Sequence, residues 1–125
     1  MVYRMKLNDN AFEKMKAGIK KVELRLFDEK RSMLEIGDYI IFTNLTDESK
    51  ELAVHIMALC RYGSFEELFA EISLIDCGFI DGETVEEASV IMNRYYSDDE
   101  IRQNGVLGIK VQVIDMDEVI YEMEA

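Results

Sequence analysis

The 125-residue sequence has no proline and a single histidine, His55. Without proline, its turns must come from Gly, Asn and Asp. A lone histidine excludes paired-histidine acid–base chemistry. It also excludes a histidine-based zinc shell, because two scattered cysteines cannot complete one. Those cysteines, Cys60 and Cys77, lack a CxxC spacing and read as reduced thiols of a cytoplasmic protein. Long apolar runs are missing too. Ile40-Ile41-Phe42 is typical of the longest, so no segment is a membrane-spanning helix. Met1 to Leu7 carries charge and no apolar stretch, which predicts no secretory leader. No glycine-rich phosphate loop is present, since Gly105 and Gly108 fit neither nucleotide pattern. Nothing calls for a metal or a cofactor.

Positive charge is scarce. Fourteen Lys+Arg stand against 26 Asp+Glu, a net charge of −12. A polyanion should be repelled by such a protein. The distribution alters that conclusion. Residues 1–31 hold nine basic and five acidic side chains, a balance of +4, and residues 32–125 carry −16. A basic N-terminal quarter is joined to an acidic remainder. The acidic body offers a docking surface for a basic protein partner, centred on Glu86, Glu87, Asp98 and Asp99. Acids in the first turn of a helix are equally served by the helix dipole.

What is present is enough apolar sequence, 49%, for one globular domain over residues 1–125. Val2 to Leu7 alternates weakly and predicts a strand. Asn10 and Glu13 make a capping pair for a helix over residues 11–17, which Gly18 stops. Lys20 to Leu26 alternates with period 2, placing Val22, Leu24 and Leu26 opposite Lys21, Glu23 and Arg25. Further strands are predicted over residues 39–43, 51–61 and 106–114. On the second of these, Leu52, Val54, Ile56 and Ala58 share one side, and His55 reads as a half-buried strand residue. Ser64, Thr84 and Ser97, each with Glu three positions on, open three helices. Residues 73–83 form a loop, and Val119 to Met123 a short strand or an exposed tail. Early strands, central helices and a closing strand predict an α+β domain with a mostly antiparallel sheet or small barrel.

The chemistry concentrates between Gly18 and Arg25. Lys21, Glu23 and Arg25 on one strand face satisfy an exposed charge ladder. They also satisfy a cationic pocket with an internal carboxylate. Arg25 would grip phosphate with two parallel hydrogen bonds, and a lysine would add a point charge. Glu23 would orient them, accept a nucleobase amino hydrogen or act as a general base. On an ideal strand Lys20 points away from Glu23 and Arg25. Convergence of the three requires Lys20 still to be leaving the helix, or a bulge.

Gly18, Lys20, Glu23 and Arg25 form a complete GxKxxExR pattern, which resembles the ASCH-domain family, related in fold to PUA domains. Leu34-Glu35-Ile36-Gly37-Asp38-Tyr39-Ile40-Ile41-Phe42 continues the resemblance as L-x-x-G-D-x-I-x-F. Later landmarks are the run from Tyr62 to Phe69, Tyr95-Tyr96-Ser97 and Gly105 to Ile109. The resemblance implies a small mixed or antiparallel β-barrel flanked by helices, with the motif in a cleft that takes RNA or a nucleotide-like ligand. Lys20, Lys21, Glu23 and Arg25 are then the ligand contacts, Lys14 and Lys16 extend the rim, and Tyr62, Ser64 and Tyr96 add stacking or hydroxyl contacts. If the domain is an enzyme, Lys20, Glu23 and Arg25 make it a metal-independent ribonuclease. One subgroup of the family deacylates modified cytidine with a Thr nucleophile three residues after the Lys. Glu23 occupies that place here, which disfavours that reaction.

Overall fold

Val2–Leu7 forms strand β1, and helix α1 (Asp9–Lys16) follows directly. The Asn8 side chain accepts the Ala11 amide at 2.9 Å and caps the helix. The helix therefore starts earlier than the Asn10–Glu13 pair predicts. Gly18, at φ +80°, turns the chain off its end, where a side chain would be strained. The computed structural model describes residues 1–124.

Four more strands, β2 (Val22–Leu26), β3 (Tyr39–Asn44), β4 (Glu51–Tyr62) and β5 (Val106–Ile114), complete one sheet in the order β1-β3-β4-β5-β2. β1 and β3 are parallel, and the other pairs are antiparallel. The sheet curls into a half-barrel, the mixed α+β, PUA-like architecture that the sequence predicts. Its edges, β1 and β2, share no backbone ladder, so the barrel stays open along one seam.

β4 departs from simple alternation. Ile56 pairs with Val111 but Ala58 with Lys110, so Met57 is an extra residue in the ladder. Such a bulge reverses the facing of everything beyond it and bends the strand. Leu52, Val54 and Ile56 share a face as predicted, but Ala58 does not join them. Leu59 takes over, pairing with Ile109 and packing against the same core cluster.

One face of the sheet buries Phe42, Val54, Ile56, Leu107 and Ile109 under Phe12 and Met15 of α1. The other face buries Val22, Leu24 and Val106 under α2 (Phe65–Glu71), α3 (Val85–Met92) and α4 (Asp98–Asn104). Ser64, Thr84 and Ser97 cap these helices as predicted, and Ser97 with Glu100 completes a reciprocal capping box. Residues 116–124 form a helix, α5 (Met116–Glu124), in place of the predicted strand or tail. Met116, Val119, Ile120 and Met123 recur at helical spacing, and Val119 is fully buried with Ile41 and Ala53.

Candidate functional site

The exit from α1 decides where the motif points. The Ile19 and Lys20 amides both donate to the Lys14 carbonyl, at 2.9 and 3.1 Å. The Lys21 and Val22 amides then converge on the Asp76 carbonyl, at 2.7 and 2.9 Å. The ladder of β2 with β5 begins only at Val22. Lys20 therefore precedes the strand and escapes its alternation. It is leaving the helix, the first of the two routes to convergence.

Its ammonium meets three acceptors: the Val22 and Cys77 carbonyls, both at 2.8 Å, and Glu23 Oε1 at 3.3 Å. An ammonium has three N–H groups, so each has a partner. Glu23 Oε2 takes Arg25 Nε at 2.9 Å and Arg25 Nη2 at 2.7 Å, and the Leu24 amide donates to Oε1 at 3.2 Å. Arg25 Nη2 also donates to the Lys6 carbonyl at 2.7 Å. Lys20 and Glu23 are each 6% exposed. Charges this buried are tolerated only when paired and hydrogen-bonded, as these are. Burial pushes the Glu23 carboxyl up, but the charges and hydrogen bonds of Lys20 and Arg25 outweigh it and hold the carboxyl below its ordinary value. The cluster keeps one net positive charge.

These groups floor a cleft of about 540 Å³ between α1, residues 77–83 and the end of α3. Lys6 and Lys14 add cations to its lining, while Phe79, Ile91, Tyr95 and Tyr96 supply an apolar and aromatic wall. Lys14 Nζ donates to the Gly78 carbonyl at 2.7 Å, tying α1 to the opposite loop. Gly78 has φ +96°, and a Cβ there would sit 3.0 Å from Lys20 Cδ. The loop backbone thus lies directly on the lysine stem. Burial pushes the Cys77 thiol up to about 12, which leaves it protonated and unsuited to nucleophilic attack. Tyr96 stacks on Phe65 with ring centroids 6.1 Å apart, and burial raises its hydroxyl pKa.

Lys20, Glu23, Arg25 and Tyr96 thus meet in one cleft. Lys21, Tyr62 and Ser64 do not. Lys21 is exposed and outside it, as is Lys16. Tyr62 packs with the helix-covered face of the sheet, and β5 separates its strand from β2. The Ser64 hydroxyl is occupied in capping α2. Phe79, Glu83 and Tyr95 escape sequence reasoning as cleft residues, because no local pattern says that residues 77–83 cover β2. His55 stacks on Tyr39 at 4.9 Å and lies 3.0 Å from the Gly37 carbonyl, a fold role. Glu86, Glu87, Asp98 and Asp99 occupy the first turns of α3 and α4, where Glu87 meets Thr84 and Asp99 meets Arg102. No helix among the described residues is long and apolar enough to cross a membrane.

A half-barrel with a buried cationic motif at its open seam defines a PUA-like domain. More narrowly, the chain belongs to the ASCH domain family, whose model matches residues 5–115. It is similar to the hypothetical protein PH0355, at 30% identity over 91% of this chain and 100% of that one, with a TM-score of 0.81. It is also similar to protein PF0455 from Pyrococcus furiosus, at 28% identity over 92% and 99% of the two chains, with a TM-score of 0.70. A mutant of ZmASCH from Zymomonas mobilis shares the fold at 11% identity, over 92% of this chain and 74% of that one, with a TM-score of 0.63. No curated protein matches the sequence.

Proposed function

We propose that this ASCH domain is a cytoplasmic binding module that holds one nucleotide, free or as an unpaired unit of RNA, in the cleft above Lys20, Glu23 and Arg25. The observation that carries this reading is a net positive, ion-paired cluster at the floor of a cleft of about 540 Å³ with aromatic walls. That volume lies within the usual range for small-ligand sites. Cations suit a phosphate, and Tyr95 and Tyr96 suit a base that stacks. Lys20 has already committed its donors, so it contributes charge from below. Arg25 Nη1, which has no hydrogen-bond partner among the described residues, Lys6 and Lys14 are the cations left to touch phosphate.

Binding is better supported than hydrolysis. A ribonuclease built on these residues needs Glu23 as proton acceptor. Its two oxygens already face four N–H donors, and its pKa is lowered rather than raised toward neutrality. The same carboxylate leaves no hydroxyl nucleophile for deacylating a modified cytidine. The test is calorimetric titration with ribonucleoside monophosphates and short single-stranded RNA. Affinity should fall in Lys14→Ala and Tyr95→Ala and hold in Tyr62→Ala. Equal, negligible affinity in wild type and all three variants would sink the proposal.

A further inference from the structure

The cleft contains a second carboxylate that the cationic cluster does not use. Glu83 lines it, immediately before the Thr84 cap of α3. Its Oε2 is shielded from solvent and has no hydrogen-bond partner among the described residues. A buried acceptor without a donor carries a desolvation cost that nothing in the protein offsets. Glu23, in contrast, has every oxygen occupied. The cleft is thus polarised. Lys6, Lys14 and Arg25 offer cations, while Glu83 offers an unmet anionic acceptor in the same cavity.

This asymmetry orients a ligand. A phosphate placed near Glu83 would be repelled, so phosphate belongs with Arg25 and Lys14. The group that faces Glu83 must donate hydrogen bonds. A carboxylate is acceptor-only and takes two parallel N–H groups best. Among the four RNA bases, only guanine carries two adjacent donors on its pairing edge, N1–H and the N2 amino group. Adenine and cytosine each set one amino donor beside a ring-nitrogen acceptor, which a carboxylate repels. Uracil sets one N–H between two carbonyl acceptors.

We infer that Glu83 is a base-reading residue and that the cleft prefers guanine nucleotides, an inference that rests on the nucleotide-binding reading above. The desolvation of Oε2 is incurred before the ligand arrives. A guanine edge that reaches the carboxylate supplies the missing donors. Oε2 is shielded as it stands, so the guanine edge meets both oxygens only once the Glu83 side chain turns into the cleft, a movement that no hydrogen bond to Oε2 opposes.

The experiment is a set of calorimetric titrations of wild type, Glu83→Gln and Glu83→Asp with guanosine, adenosine, cytidine, uridine and inosine 5′-monophosphates at one ionic strength. A good bidentate pair implies a preference for guanosine monophosphate of about tenfold or more. Inosine monophosphate keeps N1–H but lacks the amino group, and should bind between guanosine and adenosine monophosphates. Glu83→Gln replaces one acceptor oxygen by a donor and should abolish the preference, lowering guanosine monophosphate affinity and raising that of adenosine monophosphate, whose ring nitrogen the amide can meet. Glu83→Asp should keep part of it. If all five ligands bind wild type within twofold, or Glu83→Gln keeps the preference, base reading by Glu83 is overturned while nucleotide binding stands. If no nucleotide binds wild type, both readings fall together.

Discussion

Arg25 Nη2 on β2 donates a 2.7 Å hydrogen bond to the Lys6 carbonyl on β1. Those strands are the two edges of the sheet, and no backbone ladder joins them. One guanidinium therefore bridges the seam of the half-barrel while it pairs with Glu23. The same side chain closes the fold and forms the floor of the cleft.

Removing Arg25 should consequently affect stability as well as binding. Arg25→Ala leaves Glu23 with half its partners and the Lys6 carbonyl without its donor. Loss of one member of a buried ion pair costs about 3–5 kcal/mol. Arg25→Lys should recover only part of this, because an ammonium cannot reproduce the fork that spans Glu23 and Lys6. Urea unfolding followed by circular dichroism measures both. A change below about 0.5 kcal/mol in Arg25→Ala, the range of ordinary surface substitutions, would remove the seam-bridging role.

Glu23 makes the pH dependence specific. A carboxyl whose pKa is lower folded than unfolded adds stability above its unfolded value of 4.5. That contribution is lost as pH falls through the lower folded value. The stability difference between wild type and Glu23→Gln should therefore be largest near neutrality and shrink below pH 4.5. Unfolding curves at pH 7 and at successively lower pH test this. A difference that is constant with pH would mean that Glu23 gains nothing from its charge.

Gly78 should resist substitution. Gly78→Ala places a Cβ 3.0 Å from Lys20 Cδ and forces a side chain onto φ +96°. The backbone strain alone costs about 1–3 kcal/mol. Thermal unfolding should show the loss. Gly82, also at positive φ (+92°) but with open space around it, isolates the strain from the contact, so Gly82→Ala should cost less.

Much of the fold is legible in the sequence because its periodicities are local. β5 runs over the predicted residues, and the three Ser or Thr caps set the starts of α2, α3 and α4. Two features break local rules. The bulge at Met57 inserts a residue that the apolar pattern of β4 does not announce, so Ala58 changes face. The four apolar residues of α5 fit two periods over a short window, and packing on Ile41 and Ala53 selects the helix. The cleft was half legible. The motif names its floor, and Gly18 accounts for the turn that brings Lys20 to Glu23. Its cover is not legible, because the loop that carries Phe79 and Glu83 is anchored on the floor by tertiary contacts of Cys77 and Gly78 with Lys20, Cys77 being 57 residues away along the chain.

Salt gives a separate handle on the ligand. A cleft with three cations free to touch phosphate, Lys6, Lys14 and Arg25, should release few counterions. For an RNA oligomer the logarithm of affinity should fall with the logarithm of salt at a slope of about −1 to −2. A steep slope, near −5 or beyond, would mean that RNA runs along a surface instead of entering the cleft.

The most direct test is NMR titration of the isotope-labelled wild-type protein with guanosine 5′-monophosphate, read residue by residue. The account predicts saturable shifts clustered at Lys14, Arg25, Gly78, Glu83, Tyr95 and Tyr96, with Arg61, Tyr62 and Ser64 still. Absence of saturable shifts, or shifts centred on Tyr62 and Ser64, would contradict it.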